Sequence, residues 1–103
     1  MTTTILGAKQ FASHNAPILA AWIQWPYLDE RRRQIGKLCE SIHDLIDSAE
    51  DSGDQYRQLF AALTCLMLAL ESKPISRPLC VKALHHLQTL AAATARKGVA
   101  ADR

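Results

Sequence analysis

One segment of this sequence constrains the fold more than any other: between residues 59 and 70 only Thr64 is polar. A helix that is apolar on all its sides must also be covered on all its sides. The segment is too short to cross a bilayer, which takes about 20 apolar residues. We therefore expect it either at the centre of a helical domain or at an interface between subunits.

The rest of the chain repeats this helical character. Apolar residues recur at steps of three and four, and no segment alternates in the manner of a strand, so the pattern predicts an all-α fold. Its 103 residues are enough for one domain, and its 49% hydrophobic and 21% charged residues are typical of globular proteins and exclude disorder. We predict a single domain, 1–103, of four principal helices, with residues 1–13 and 99–103 frayed at the ends.

The N-terminal region is predicted in two parts. Thr4 would cap a short additional helix, which Gly7 weakens by about 1 kcal/mol. Asn15 is a favourable N-cap for the first principal helix, which would end near Trp25 because Pro26 follows.

The other three principal helices are predicted over residues 28–49, over 54–72, and from the turn at 73–78 to about residue 97. Gly98 is the expected C-cap of the last one. The helix over 28–49 has the clearest apolar stripe, formed by Ile35, Leu38, Cys39, Ile42, Leu45, Ile46 and Ala49.

Charge is unevenly distributed along the chain. Four cations and two acids lie between residues 29 and 37, whereas residues 40–54 contain six acids and neither lysine nor arginine. Cations therefore begin the second helix and acids end it, which opposes the helix macrodipole at a cost of about 0.3–1 kcal/mol per well-placed charge.

The three cysteines, Cys39, Cys65 and Cys80, lie at apolar helical positions, and no two of them form a CxxC pair. We predict free, mostly buried thiols in a reducing compartment. Residues 1–13 lack a basic start followed by an apolar run, so no signal peptide is predicted and the cytoplasm is the expected location.

The sequence does not predict a catalytic site, a cofactor site or a metal site. The chain has neither a glycine-rich phosphate loop nor a nucleophile elbow, and the acidic segment 47–54 does not have the register of a calcium loop. Cys39 and His43 share a helix face, but no further residues show the spacing of zinc ligands. A small enzyme or metal-binding protein is the third of our functional hypotheses.

The alternative hypothesis is a helix-turn-helix regulator that binds DNA. The turn at 72–76 joins two helices, Arg77 and Lys82 begin the second, and Lys73 could contact phosphate. The helix before the turn is apolar on all sides, however, whereas a positioning helix needs a polar face. An ordinary helical hairpin explains the same pattern.

The leading hypothesis is a non-catalytic regulator that binds another protein, as an inhibitor, antiactivator or adaptor does. Aromatic residues and arginines, the types most enriched in binding hot spots, crowd into one short segment. The predicted partner-binding residues are Trp22, Trp25, Tyr27, Arg31, Arg32 and Arg33. Arg31 falls in line with the apolar stripe of its helix, which a partner packed there would explain.

We also expect a homodimer, because the apolar segment has more apolar surface than one small chain easily covers. The predicted dimer interface consists of Leu59, Leu63, Leu66, Met67 and Leu70.

Overall fold

The computed structural model describes residues 2–48 and 54–101, with side chains described within 7–47 and 56–92. Four α-helices run over Thr2–Gln24 (α1), Arg32–Ser48 (α2), Asp54–Glu71 (α3) and Arg77–Ala101 (α4), and a 3₁₀ helix over Leu28–Arg31 precedes α2. The described part of the chain contains no strand. The predicted all-α class and its four principal helices are confirmed.

Helix α1 is continuous, which corrects the two-part prediction for the N-terminal region. Asn15 does not cap a helix there: its Nδ2 atom donates to the backbone oxygen of Phe11 at 3.0 Å, one turn earlier in the same helix. Pro17 also lies inside the helix. The buried residues explain the continuity, since they recur at helical spacing through both parts: Ala8, Ala12, Ala16 and Leu19. Packing of this small-residue face overrides the local signals at Asn15 and Pro17.

Helix α2 begins four residues later than the predicted helix, because residues 28–31 form the separate 3₁₀ helix. Its predicted stripe is confirmed where the structure describes it. Ile35, Leu38, Cys39 and Ile42 are buried, and Leu45 and Ile46 pack against the core. The predicted end at Ala49 lies outside the described residues.

The four helices pack in a closed ring, in which α1 contacts α2 and α4, and α3 contacts α2 and α4. One side-chain contact and one backbone hydrogen bond show that α3 and α4 are antiparallel. Nδ1 of His86 lies 2.9 Å from Oε1 of Gln58, and the Ser76 amide donates to the oxygen of Ala69 at 3.3 Å. The pair is a long helical hairpin.

The remaining neighbours are antiparallel too. A methyl group added at Gly7, near the start of α1, would lie 3.8 Å from Cδ2 of Leu45, near the end of α2. Arg32 at the start of α2 contacts Leu70 at the end of α3. The fold is thus an up-down-up-down four-helix bundle. The last residues of α1 and α3 lie at the same end of the bundle as the first residues of α2 and α4. We call this the junction end.

Helix α4 begins at Arg77, within the turn predicted at 73–78, and ends later than predicted. Oγ of Ser76 accepts a hydrogen bond from the Leu79 amide at 3.4 Å, as an N-cap does. The helix then continues through Gly98 to Ala101, so Gly98 is not its C-cap. Residues 2–13 and 99–101, where we expected fraying, belong to α1 and α4, while residues 1, 102 and 103 lie outside the described part.

Gly36 offers a test of the helix assignment for α2. A methyl group at this position would have nothing within 4 Å, so alanine meets no steric obstacle there. Glycine in a helix interior costs about 0.5–1 kcal/mol relative to alanine. We therefore expect Gly36→Ala to stabilise the protein by about that amount, which raises the melting temperature by several degrees in a domain of this size.

Thermal or urea unfolding followed by circular dichroism measures the effect. A lower melting temperature for Gly36→Ala would contradict the placement of Gly36 on an open part of α2.

Candidate functional site at the junction end

Antiparallel packing gathers two basic segments that lie far apart in the sequence. Residues 31–37 comprise the end of the 3₁₀ helix and the start of α2, residues 73–82 lead into α4, and both α-helices start at the junction end. The cations of the two segments are Arg31, Arg32, Arg33, Lys37, Lys73, Arg77 and Lys82. Three acids, Asp29, Glu30 and Glu71, belong to the same end. The cations that precede the acids in the sequence therefore lie at the junction end of α2, and the acids that follow them lie towards its other end.

Arg32 is the first residue of α2, and its guanidinium binds the end of α3. It donates to the backbone oxygens of Leu70 and Ser72, the latter at 3.2 Å. The C-terminus of a helix has a negative potential and carbonyl groups without partners. Arg32 is therefore unfavourably placed for α2 and favourably placed for α3. The unfavourable placement of this cation in α2, which the sequence predicts, is thus offset by a contact with α3.

Arg77 repeats this arrangement at the start of α4. Its guanidinium donates to the backbone oxygen of Trp25 at 3.1 Å, just beyond the end of α1. Both arginines therefore join the beginning of one helix to the end of its antiparallel neighbour.

Asp29 connects the 3₁₀ helix to the turn between α3 and α4. Its Oδ1 atom accepts a hydrogen bond from the Ile75 amide at 2.7 Å and lies 3.6 Å from the guanidinium of Arg32. The side chain of Ile75 is buried in the core. The turn is therefore held against the junction end by both a hydrogen bond and an apolar contact.

An aromatic and basic surface lies outside this internal network. Trp25 is 42% exposed and Tyr27 is 65% exposed. The guanidinium of Arg31 lies 5.2 Å from the centre of the Trp25 ring, and the indole N–H of Trp25 donates to Oε1 of Glu30 at 3.2 Å. A cation over an indole face is an attractive arrangement. The ring is exposed, yet it is held in one orientation.

The six predicted partner-binding residues thus occupy different environments. Trp22 is half-buried and packs against the core, whereas Arg33 is exposed. Arg32 takes part in the internal network. Arg31 belongs to the 3₁₀ helix, so the 100° spacing that placed it in the apolar stripe of α2 does not apply to it. We define the junction surface as Trp25, Tyr27, Arg31 and Arg33.

The predicted dimer interface needs a correction. Leu59, Leu63 and Leu66 are buried inside the single chain, and Leu70 packs against the same core. Of the five residues only Met67 is exposed, at 50%. The neighbouring helices cover most of α3, and the surface they leave open contains two large apolar residues that the prediction did not include, Phe60 and Leu68.

The cysteines are free, and Cys39 and Cys80 are buried as predicted, while Cys65 is half-buried. Burial, followed by the neighbouring Cys80 and Glu40, raises the pKa of the Cys39 thiol to about 11. Burial also raises the pKa of Cys80. Both thiols therefore stay protonated at neutral pH, which makes them poor nucleophiles.

Metal ligands do not converge in the part of the chain that the structure describes, where no group of three or more His, Cys, Asp or Glu side chains could hold an ion. His43 instead pairs with Asp47 on its own helix at 3.3 Å.

The arrangement of α3 and α4 differs from that of a DNA-binding helix-turn-helix. In that motif the two helices cross at about 90–120°, whereas α3 and α4 run antiparallel and in contact as far as Gln58 and His86. Lys73 and Lys82 are exposed, but Arg77 is engaged with the oxygen of Trp25.

Comparison of the chain with protein-family models, with curated proteins and with solved structures finds no match. Within 2–48 and 54–101, no helix has the length and apolar character needed to cross a bilayer.

The hydrogen bonds of Arg32 predict that its substitution affects stability more than substitution of its neighbour Arg33. We expect Arg32→Ala to lower the free energy of unfolding by about 1–3 kcal/mol, because hydrogen bonds from a charged donor to two carbonyl groups are lost. Arg33→Ala removes an exposed side chain and should change stability by less than about 0.5 kcal/mol. Urea unfolding of both variants measures the difference. Equal stability of the two would contradict a structural role for Arg32.

Thiol reactivity tests the placement of the cysteines. In native protein at pH 7, we expect Cys65 to react first with a disulfide reagent, since Cys39 and Cys80 are buried and protonated. In denaturant all three should react. Because the folded pKa of Cys39 is raised, the unfolded state loses its proton first, so stability should fall as the pH rises from 9 towards 11. A thiol count below three in denaturant would reveal a disulfide and contradict the prediction.

Proposed function

We propose that this chain is a non-catalytic regulatory protein that acts by binding another protein through the junction surface. The observation that carries the proposal is the exposed pair Trp25 and Tyr27, with the guanidinium of Arg31 over the Trp25 ring. Tryptophan, tyrosine and arginine dominate the energy of protein interfaces. An inhibitor, an antiactivator and an adaptor are the modes of action that such a surface supports.

Rigidity supports the proposal because an ordered surface loses little conformational entropy when it binds. Trp25 is fixed at several points. Its amide donates to the oxygen of Trp22 at 3.0 Å, its own oxygen accepts from Arg77, and its indole N–H donates to Glu30. These three hydrogen bonds connect the segment after α1 to α1 itself, to the start of α4 and to the 3₁₀ helix.

The charges indicate the type of partner. The junction surface contributes Arg31 and Arg33, and the exposed Lys37, Lys73 and Lys82 belong to the same end. We infer that the partner presents an acidic surface with an apolar centre. We also propose that the two proteins meet in the cytoplasm. Opposite charges would accelerate association, while the aromatic rings would provide most of the affinity.

The homodimer is part of the same proposal. Phe60, Met67 and Leu68 leave an apolar surface on α3 that the single chain does not cover. This surface is separate from the residues of the junction surface, so self-association and partner binding need not compete.

Capture of interacting proteins, followed by direct binding measurements, tests the proposal. The full chain serves as bait beside Trp25→Ala/Tyr27→Ala, with His85→Ala/Gln88→Ala as a control that alters two exposed side chains on α4. We expect a protein that the wild type and the control capture equally and that the double aromatic variant captures at least tenfold less. That factor is a lower bound for a hot spot, whose truncation costs about 2 kcal/mol or more.

Calorimetry with the purified partner then checks Arg31→Ala and Arg33→Ala, each of which should weaken binding without loss of the melting temperature. Capture that is unchanged in the aromatic variant would refute the junction surface as the site. Binding to DNA whose logarithmic salt slope approaches −0.9 per phosphate contact would favour the helix-turn-helix alternative instead.

A further inference from the structure

The outward side of α3 carries a seam of exposed residues at steps of three and four. These residues are Arg57, Phe60, Thr64, Met67 and Glu71, and Leu68 lies beside them. Steps of three and four repeated along one face are the spacing of a coiled-coil seam. Here the spacing is carried by exposed residues, whereas the buried residues of α3 face the other helices of the same chain.

We propose that this seam is the interface of a homodimer in which α3 packs antiparallel against α3 of a second copy, with the two-fold axis close to Thr64. The inference rests on the homodimer proposed above and adds its surface, its orientation and its register. It does not depend on the junction surface.

Charge complementarity selects the second copy as the occupant and antiparallel as the orientation. Arg57 and Glu71 lie seven residues to either side of Thr64. An axis at Thr64 therefore places Arg57 of each copy opposite Glu71 of the other, so one rotation creates two opposite-charge pairs. A parallel dimer would instead place Arg57 against Arg57 and Glu71 against Glu71.

The apolar residues fit the same register. Phe60 and Leu68 lie four residues to either side of Thr64, so each would pack against the other across the axis. They are 53% and 47% exposed in the single chain. Tyr56 stacks on Phe60 with ring centres 6.2 Å apart, which widens the apolar surface at both ends of the contact.

Thr64 is compatible with a buried position at the axis because its polar group is already satisfied. Its Oγ1 atom donates to the backbone oxygen of Phe60 at 2.9 Å. A buried hydroxyl without a partner would be costly, whereas this one is hydrogen-bonded within its own helix. The only polar residue in the apolar segment 59–70 thus poses no obstacle to a dry contact.

Charge reversal tests the register in solution. Wild type should show a mass approaching twice 11.4 kDa in light scattering as its concentration rises. Arg57→Glu turns both charge pairs into repulsive ones and should raise the dimer dissociation constant by about tenfold or more, while Arg57→Glu/Glu71→Arg restores the pairs and should return it to within about threefold of wild type. Lys82→Glu, which changes the net charge equally on α4, is the control and should leave the constant unchanged.

Cysteine crosslinking tests the axis, in a Cys65→Ser background. Thr64→Cys should form a disulfide-linked dimer on mild oxidation. Arg57→Cys alone should not, because its two copies would lie about 20 Å apart at 1.5 Å per residue. Arg57→Cys/Glu71→Cys should crosslink again, since each introduced thiol faces the other residue on the second copy.

The outcomes separate the two proposals. If the wild-type protein is folded, as its thermal unfolding would show, and yet strictly monomeric, both this inference and the homodimer are overturned. Partner capture at the junction surface is then judged by itself. A dimer that persists in Met67→Asp overturns the α3 interface, and a self-crosslink at Arg57→Cys overturns the antiparallel register. Neither result overturns the homodimer itself. If the wild-type protein dimerises but captures no partner, only the proposed function is contradicted.

Discussion

Arg32 and Arg77 each occupy the first residue of a helix. Arg32 donates to two carbonyl groups at the end of α3, and Arg77 donates to one just beyond the end of α1. An up-down bundle always places the start of one helix beside the end of the next. A cation there opposes one helix dipole and complements another. The guanidinium suits this position because its several N–H groups can reach two carbonyls at once.

The rest of the junction end depends on these two contacts. Arg32 holds the end of α3, Asp29 connects Arg32 to the amide of Ile75, and Arg77 holds the segment after α1. The consequence is a short, irregular part of the chain that is held by hydrogen bonds and presents Trp25 and Tyr27 to solvent. Rigid presentation of large aromatic side chains is what an effective protein-binding surface requires.

The apolar helix α3 imposes the second constraint. Three neighbouring helices are available to cover it in a chain of this size, and α4 and α2 provide most of the contact. Leu59, Leu63 and Leu66 are buried as a result. The side of α3 that faces away from the bundle stays open, and there Phe60, Met67 and Leu68 are exposed. The two surfaces on which our proposals rest therefore have different origins, since one is held by polar contacts and the other is left by incomplete apolar coverage.

The sequence by itself determined the class of fold, the four helices and most of the core, because apolar periodicity depends only on local geometry and on the need to bury apolar side chains. It also determined the apolar stripe of α2 and the burial of Cys39 and Cys80. It did not determine α1 as one helix, since the alanines that form its buried face carry a weak apolar signal and only the packed neighbours show which face is inside.

Tertiary structure alone decided the roles of individual residues at the candidate sites. Arg31, Arg32 and Arg33 are consecutive, and helical spacing set apart only Arg31, on a periodicity that does not apply to it. In the structure Arg31 lies over the Trp25 ring, Arg32 binds the end of α3 and Arg33 is exposed. Likewise, an evenly apolar helix does not reveal which side its neighbours will cover, so the sequence placed the exposed apolar surface on Leu59, Leu63 and Leu66 instead of Phe60 and Leu68. The physical reason is the same in both cases: the partners of these side chains are far away in the chain, and only the packing of the helices brings them together.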